Sequence, residues 1–239
     1  MQTVKSKVAL ITGGSKGIGY GIAEALVLQE AKVAITSRSK ESADEAAAKL
    51  NKLGKSEAIG IEADVRNSGA QEKAVATVLK KWDSLDILIA NAGLGHFGSI
   101  ETLTEEQWHE TLDTNLTGTF YSIKASIPFL KKSKGYIITI ASLAGTNFFA
   151  GGSAYNASKF GLVGFTQAVM LDLRNYGIKV TTIMPGSVAT YFDGHTPNTG
   201  DSWKIQPEDI GQMVVDLLKM NPRTLPSKIE VRPSITGSK

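Results

Sequence analysis

Tyr155 and Lys159 stand four residues apart, which makes them neighbours on one face of a helix. A phenol with its ordinary pKa of about 10 is a poor proton donor or acceptor near neutrality, but an ammonium beside it favours the phenolate. The pair reads as a tyrosine tuned by a lysine for proton transfer. Ser142, at the end of a predicted strand thirteen residues before Tyr155, adds a hydroxyl.

A second constellation lies near the start of the chain. Thr12-Gly-Gly-Ser-Lys-Gly-Ile-Gly19 carries glycines at 13, 17 and 19 with Ser15, Lys16 and Ile18 between them, directly after an apolar run and before a helical pattern. Glycine permits a tight turn and close backbone approach, and the following helix presents free N–H groups and a positive dipole end to an anion. Alone this could be a glycine-rich turn; its place between strand and helix points to a dinucleotide pyrophosphate. The next strand ends at Thr36-Ser37-Arg38, with no acid to bond a ribose 2′-hydroxyl. Arg38 offers a planar fork for a 2′-phosphate and Lys16 a second charge, so the expected cofactor is NADP(H), with Ser37 beside it. The competing reading of Arg38 is a solvated surface residue, since Lys40 and Glu41 follow closely.

These residues need a scaffold that brings strand ends together. Short apolar runs occur at 8–12, 33–36, 58–63, 86–90, 136–141, 180–184 and 228–232, with helical patterns between them. Strands alternating with helices imply a parallel sheet covered on both faces, because each parallel crossover needs a long connection. The expectation is a doubly wound α/β domain of Rossmann type with about seven strands, spanning 1–239 without a linker. One aperiodic stretch, 191–206, is expected to be a substrate lid, and Pro207 to open the helix after it.

Composition excludes several other classes. The 239 residues hold 26 Lys plus Arg against 23 Asp plus Glu, three histidines (His96, His109, His195) and no cysteine. Thiolate catalysis and disulfides are ruled out, a metal site is not expected, and a formal charge of +3 is far from what nucleic-acid or membrane-surface binding needs. The expected setting is the cytoplasm, with no nucleic acid and no membrane as partner. Asn115-Leu-Thr117 and Asn156-Ala-Ser158 match the glycosylation pattern but fall on the expected catalytic helices. Gly54-Lys55-Ser56 lacks the first glycine of a phosphate loop.

Taken together, the glycine loop, Asp64-Val65, Asn91-Ala92-Gly93, Asn115, Ser142, Tyr155-x-x-x-Lys159 and Pro185-Gly186-Ser-Val188-Ala-Thr190 resemble the short-chain dehydrogenases/reductases, in family order and over nearly the whole chain. The resemblance implies hydride transfer between a nicotinamide and a carbonyl or alcohol. It makes Tyr155 the proton donor in reduction, Ser142 the group that polarises the carbonyl oxygen, and Lys159 a hold on the nicotinamide ribose. Asn115 would bind a water that relays protons through Lys159. Asp64 and Val65 would contact adenine, Asn91 to Gly93 would form the turn beside the cofactor, and the Pro185 to Thr190 segment, through Val188 and Thr190, would meet the carboxamide and pyrophosphate.

The expected pocket lining, Leu94, His96, Phe97, Leu143, Phe148, Phe149 and the lid, contains no Arg or Lys outside the lid. This favours a small neutral ketone or aldehyde. The alternative within the family is a 3-oxoacyl-[acyl-carrier-protein] reductase, whose acidic partner would need a basic rim. The tail from Ile229 lacks the Gly-Gly-rich ending of that branch and resembles carbonyl reductases of the sepiapterin- and benzil-reductase kind. A distant alternative, a non-catalytic NADP(H) sensor, has no need to keep Ser142, Tyr155 and Lys159 together. Finally, the apolar residues from Phe160 to Leu171 surround their helix rather than form one stripe. A homodimer or homotetramer through the helices bearing Asn115 and Tyr155 would cover the outer side.

Overall fold

Val8–Ile11, four consecutive apolar residues that are all buried, form β1 in the interior of the sheet. In the computed structural model, which describes residues 3–236, β1 pairs in parallel with β2 (Lys32–Ser37) on one side and β4 (Ile87–Ala90) on the other. Met1, Gln2 and 237–239, the two ends of the expected domain and its tail, lie outside the described residues. The full order is β3-β2-β1-β4-β5-β6-β7, all parallel, with β3 at Ala58–Glu62, β5 at Tyr136–Ile140, β6 at Lys179–Pro185 and β7 at Lys228–Val231. Chain order reverses between β1 and β4, so a crevice opens at their carboxyl ends, where ligands bind in open α/β sheets.

The period-2 alternation of strands sorts side chains into two cores. Ala9 and Ile11 of β1 face α1 (Gly17–Leu28), α2 (Lys40–Asn51) and α7 (Pro207–Lys219), whereas Val8 and Leu10 face α3 (Ser68–Trp82), α5 (Gly118–Ser133) and α6 (Ser153–Leu173). All seven expected strands are present. The helix before α5 is interrupted: α4 (Glu105–Leu112) runs through a π turn at Asp113–Thr117 into α5, and π turns of this kind frequently mark functional sites.

Segment 191–206 is more ordered than its lack of periodicity suggests. It forms two short 3₁₀ turns, Phe192–Gly194 and Thr199–Asp201, and Ile205 bridges back to Val188. Pro207 sits in the first turn of α7 as expected.

α1, which begins in the glycine loop, is held by α7 through backbone contact. A Cβ on Gly211 would lie 2.5 Å from the Gly21 carbonyl oxygen, and one on Gly21 2.6 Å from that of Pro207. Alanine is the better helix former by about 1 kcal/mol, so propensity and packing make opposite predictions here. Packing should win: Gly211→Ala is expected to lose about 1–3 kcal/mol in urea unfolding, the usual cost of overpacking. A variant at least as stable as the parent would show that the two helices can separate freely.

Candidate active site

The glycine loop is tied down from the next strand end. Asn91 Nδ2 donates to the carbonyls of Thr12 and Gly13, both at 3.0 Å, and the Thr12 hydroxyl accepts from the N–H groups of Asn91 and Ala92. A Cβ on Gly13 would meet Ala92 Cα at 2.9 Å, and one on Gly19 would meet Asn91 Nδ2 and the Gly13 carbonyl at 2.5 Å. Gly13 and Gly17 also adopt positive φ of 63° and 58°. α1 has no side-chain cap and no acid in its first turn, so its leading N–H groups remain for an anion. This cradle fits a dinucleotide pyrophosphate.

From it a groove of about 790 Å³ runs past Ser37, Arg38, Asp64, Val65 and Asn91–Gly93 to Tyr155, Lys159 and Thr190. Gly13, Ser15, Lys16, Gly17 and Ile18 line it, whereas Gly19 is buried beneath and serves close packing. Pro185, Gly186 and Val188 instead line an adjoining cavity of about 330 Å³, together with Ile18, Ser142, Tyr155 and Thr190. The sequence reading missed Thr114, which lines the groove from the π turn.

Behind Arg38, Asp64 and His96, which line the groove, stand two further charged residues that do not line it, Arg66 and Glu110. Arg66 wraps the Asp64 carboxylate with its backbone N–H at 2.9 Å, Nε at 3.0 and 3.1 Å and Nη2 at 2.7 Å, which holds Asp64 below the usual carboxylate range. Glu110 of α4 reaches in to meet Arg66 at 3.3 Å, Arg38 at 3.8 Å and His96 Nε2 at 2.8 Å. Exposed charges in turns and on helices carry no periodic signal, and the Asp64–Arg66 spacing was the one hint.

The catalytic end is built on Asn115, which is fully buried in the π turn. Its Oδ1 accepts from Leu94 N at 2.9 Å, and its Nδ2 donates to the Leu94 carbonyl at 2.8 Å and to Ser158 Oγ at 2.9 Å. Ser158 in turn donates to the Tyr155 carbonyl at 2.8 Å. Both side-chain N–H groups of Asn115 are thus engaged, so it clamps α6 to the loop after β4.

Lys159, 4% exposed, donates to the Ile140 carbonyl at 3.2 Å, and burial pulls its pKa down to about 8. A side chain at Gly93 would lie 3.2 Å from Asn115 Oδ1 and 3.5 Å from Lys159 Nζ, so this residue too is fixed by the lysine's place.

Tyr155 departs from expectation. The lysine ammonium is 5.6 Å from the phenol ring centroid, and desolvation pushes the tyrosine pKa up while the Ser142 hydroxyl opposes the shift. The anticipated depression by Lys159 is absent, because burial outweighs a charge that is itself desolvated and directed at Ile140. The ring keeps part of its surface open, flanked by Phe97 at 5.4 Å and Phe192 at 5.6 Å.

Of the expected lining, Leu94, His96 and the lid's Phe192 line the cavities, whereas Phe97, Leu143, Phe148 and Phe149 line neither. Phe148 is 86% exposed, and Phe97 instead packs edge-on against the Tyr155 ring. His195 and Lys204, both of the lid, line the inner cavity beside Ser142 and Tyr155. Both are held by buried Asp201, which accepts from His195 Nε2, Lys204 Nζ (both 2.6 Å) and Asn198 N (3.1 Å) and is kept ionised by them. The lid therefore brings a largely neutralised pair rather than a free positive charge.

The family model for short chain dehydrogenase matches residues 7–199. Trans-4-hydroxycyclohexanecarboxylate dehydrogenase of Sinomonas cyclohexanicum is 35% identical over 192 residues, 78% of this chain and 74% of that protein. Among solved structures, an alcohol dehydrogenase from the archaeon Thermococcus sibiricus complexed with 5-hydroxy-NADP superposes with a TM-score of 0.91 at 29% identity, covering 98% of this chain and 99% of that one. A 3-ketoacyl-(acyl-carrier-protein) reductase from Brucella melitensis complexed with NADH superposes with a TM-score of 0.88 at 26% identity, covering 97% and 98%. With the family model spanning most of the chain and the strand-end residues in family order, the protein belongs to the short chain dehydrogenases and is an oxidoreductase.

Proposed function

We propose that the protein reduces small neutral ketones, diketones or aldehydes with NADPH, and oxidises the corresponding alcohols in reverse. The observation that carries this reading is the meeting of Ser142 and Tyr155 on one cavity, with buried Lys159 behind them. The nicotinamide, when bound, supplies the hydride. Tyr155 gives its phenolic proton to the carbonyl oxygen, and Ser142 donates a hydrogen bond to the same oxygen as charge develops. A raised tyrosine pKa suits the donor role, since the proton is present at neutral pH. Lys159 holds the nicotinamide ribose, Asn91 to Gly93 shape the turn beside the cofactor, and Val188 and Thr190 meet its carboxamide and pyrophosphate. Arg38, with no acid at the end of β2, receives the 2′-phosphate; the relative solved with an NADP derivative supports this choice.

Phe192, backed by Phe97 and Phe149, gives the carbonyl site an apolar wall. The similarity to a 3-ketoacyl-(acyl-carrier-protein) reductase favours acyl thioesters as the second reading. Phe120, Phe160 and Leu171 are 40%, 43% and 53% exposed on α5 and α6, which supports a homodimer or homotetramer formed through those helices.

Substrate and acid are tested together by following NADPH oxidation with aromatic ketones, diketones, and one acyl group presented free and on a carrier protein. Ketones and diketones are expected to be reduced with the higher kcat/KM, and Tyr155→Phe to lose about 100–10,000-fold in turnover while still binding NADPH. A better rate on the carrier-bound thioester would install the second reading, and near-normal turnover by a folded Tyr155→Phe would show that another group is the acid.

Lys159 yields a stability prediction. Its pKa is lowered on folding, so between about 8 and the unfolded value near 10.5 the unfolded chain binds more protons, and stability rises with pH across that window. Below it, the folded protein carries a buried charge. Lys159→Met should therefore be more stable at pH 7 by on the order of 1–3 kcal/mol, with the gain shrinking toward pH 10, and should lose activity. A destabilised variant at pH 7 would mean that the ammonium's contacts outweigh its desolvation.

A further inference from the structure

The ionic cluster at the adenosine end draws on four segments of the chain: Arg38 after β2, Asp64 and Arg66 after β3, His96 after β4, and Glu110 on α4. Arg66 is fixed by Asp64 through several short bonds and does not depend on Glu110 for its place. His96 takes one Glu110 oxygen at 2.8 Å. The other oxygen meets Arg66 at 3.3 Å and faces Arg38 at 3.8 Å, too far for a hydrogen bond to a side chain that is 66% exposed. A pair of that kind fixes Arg38 only weakly. It nevertheless places a carboxylate beside the guanidinium that an incoming phosphate would need. The two guanidiniums, Arg38 and Arg66, are matched by the two carboxylates, Asp64 and Glu110; loss of Glu110's charge would leave one guanidinium unmatched.

We propose that Glu110 is a positioning residue that sets cofactor specificity: its carboxylate competes with the 2′-phosphate for Arg38, lowers affinity for the phosphorylated cofactor, and keeps NADH usable. This rests on the reading of Arg38 as the phosphate contact. The cost of the competition falls on the 2′-phosphate alone, because repulsion from a carboxylate adds to the attraction it withholds, whereas an unphosphorylated ribose presents no charge to either.

Calorimetric titration of the full-length protein with 2′,5′-ADP and with 5′-ADP isolates this site from the chemistry. Glu110→Gln is expected to bind 2′,5′-ADP about fivefold more tightly, the range of one partly exposed charge, with 5′-ADP changed less than about twofold and the gain fading as salt is added. Glu110→Asp, which keeps the charge, should stay closer to the parent than to Glu110→Gln, an outcome that a merely structural role would not produce. If the parent prefers 2′,5′-ADP and Glu110→Gln leaves that preference unchanged or weakens it, the proposal falls and the cofactor reading stands. If neither protein prefers 2′,5′-ADP, the reading of Arg38 falls and the proposal with it.

Discussion

An ammonium buried to 4% exposure is the constraint around which the catalytic end is organised. Taking Lys159 out of water is expensive, and it is tolerable because the groups around it are fixed. The end of β5 offers the Ile140 carbonyl, and the absence of a side chain at Gly93 leaves room beside Nζ. Asn115 ties α6, from which the lysine projects, to the loop after β4. The π turn puts Asn115 in reach of both partners at once. Ser142 and Tyr155 then stand over the lysine because the same helix and the same strand end carry them.

The cofactor end uses a second clamp of the same design. Asn91 and Thr12 join the ends of β1 and β4 at the point where strand order reverses, and so fix the glycine loop. Both clamps are an asparagine amide bonded to the backbone of a neighbouring strand-end loop, Asn91 to Thr12 and Gly13 and Asn115 to Leu94. The site is thus held by groups with defined directions, while the apolar cores beneath supply the cohesion.

Much of this was legible in the sequence, for physical reasons. Strands buried on both faces read as continuous apolar runs, so all seven were visible, and motifs at strand ends pointed to the groove without knowledge of side-chain contacts. What stayed hidden depends on burial that neighbours in sequence do not decide. The Tyr155 ring is desolvated by Phe97 and Phe192, some 58 and 37 residues away, and this reverses the shift that Lys159 alone suggested. Asp201 looked like one more acid in an aperiodic loop, yet its burial organises His195, Lys204 and the lid. Arg66 and Glu110 had no pattern of their own, and only the fold brings them to Arg38.

The account turns on Lys159 being an ammonium with a strongly lowered pKa, held under the tyrosine that transfers the proton. Titration of the folded protein carrying ¹³C-labelled lysine, followed by NMR with Lys159→Met to assign the resonance, measures that value directly. The account predicts an inflection at about 8 that disappears in the variant. An inflection for Lys159 near the ordinary lysine value of about 10.5 would contradict it, because the ammonium would then be solvated and the arrangement of β5, Gly93 and the Asn115 clamp would not govern its charge.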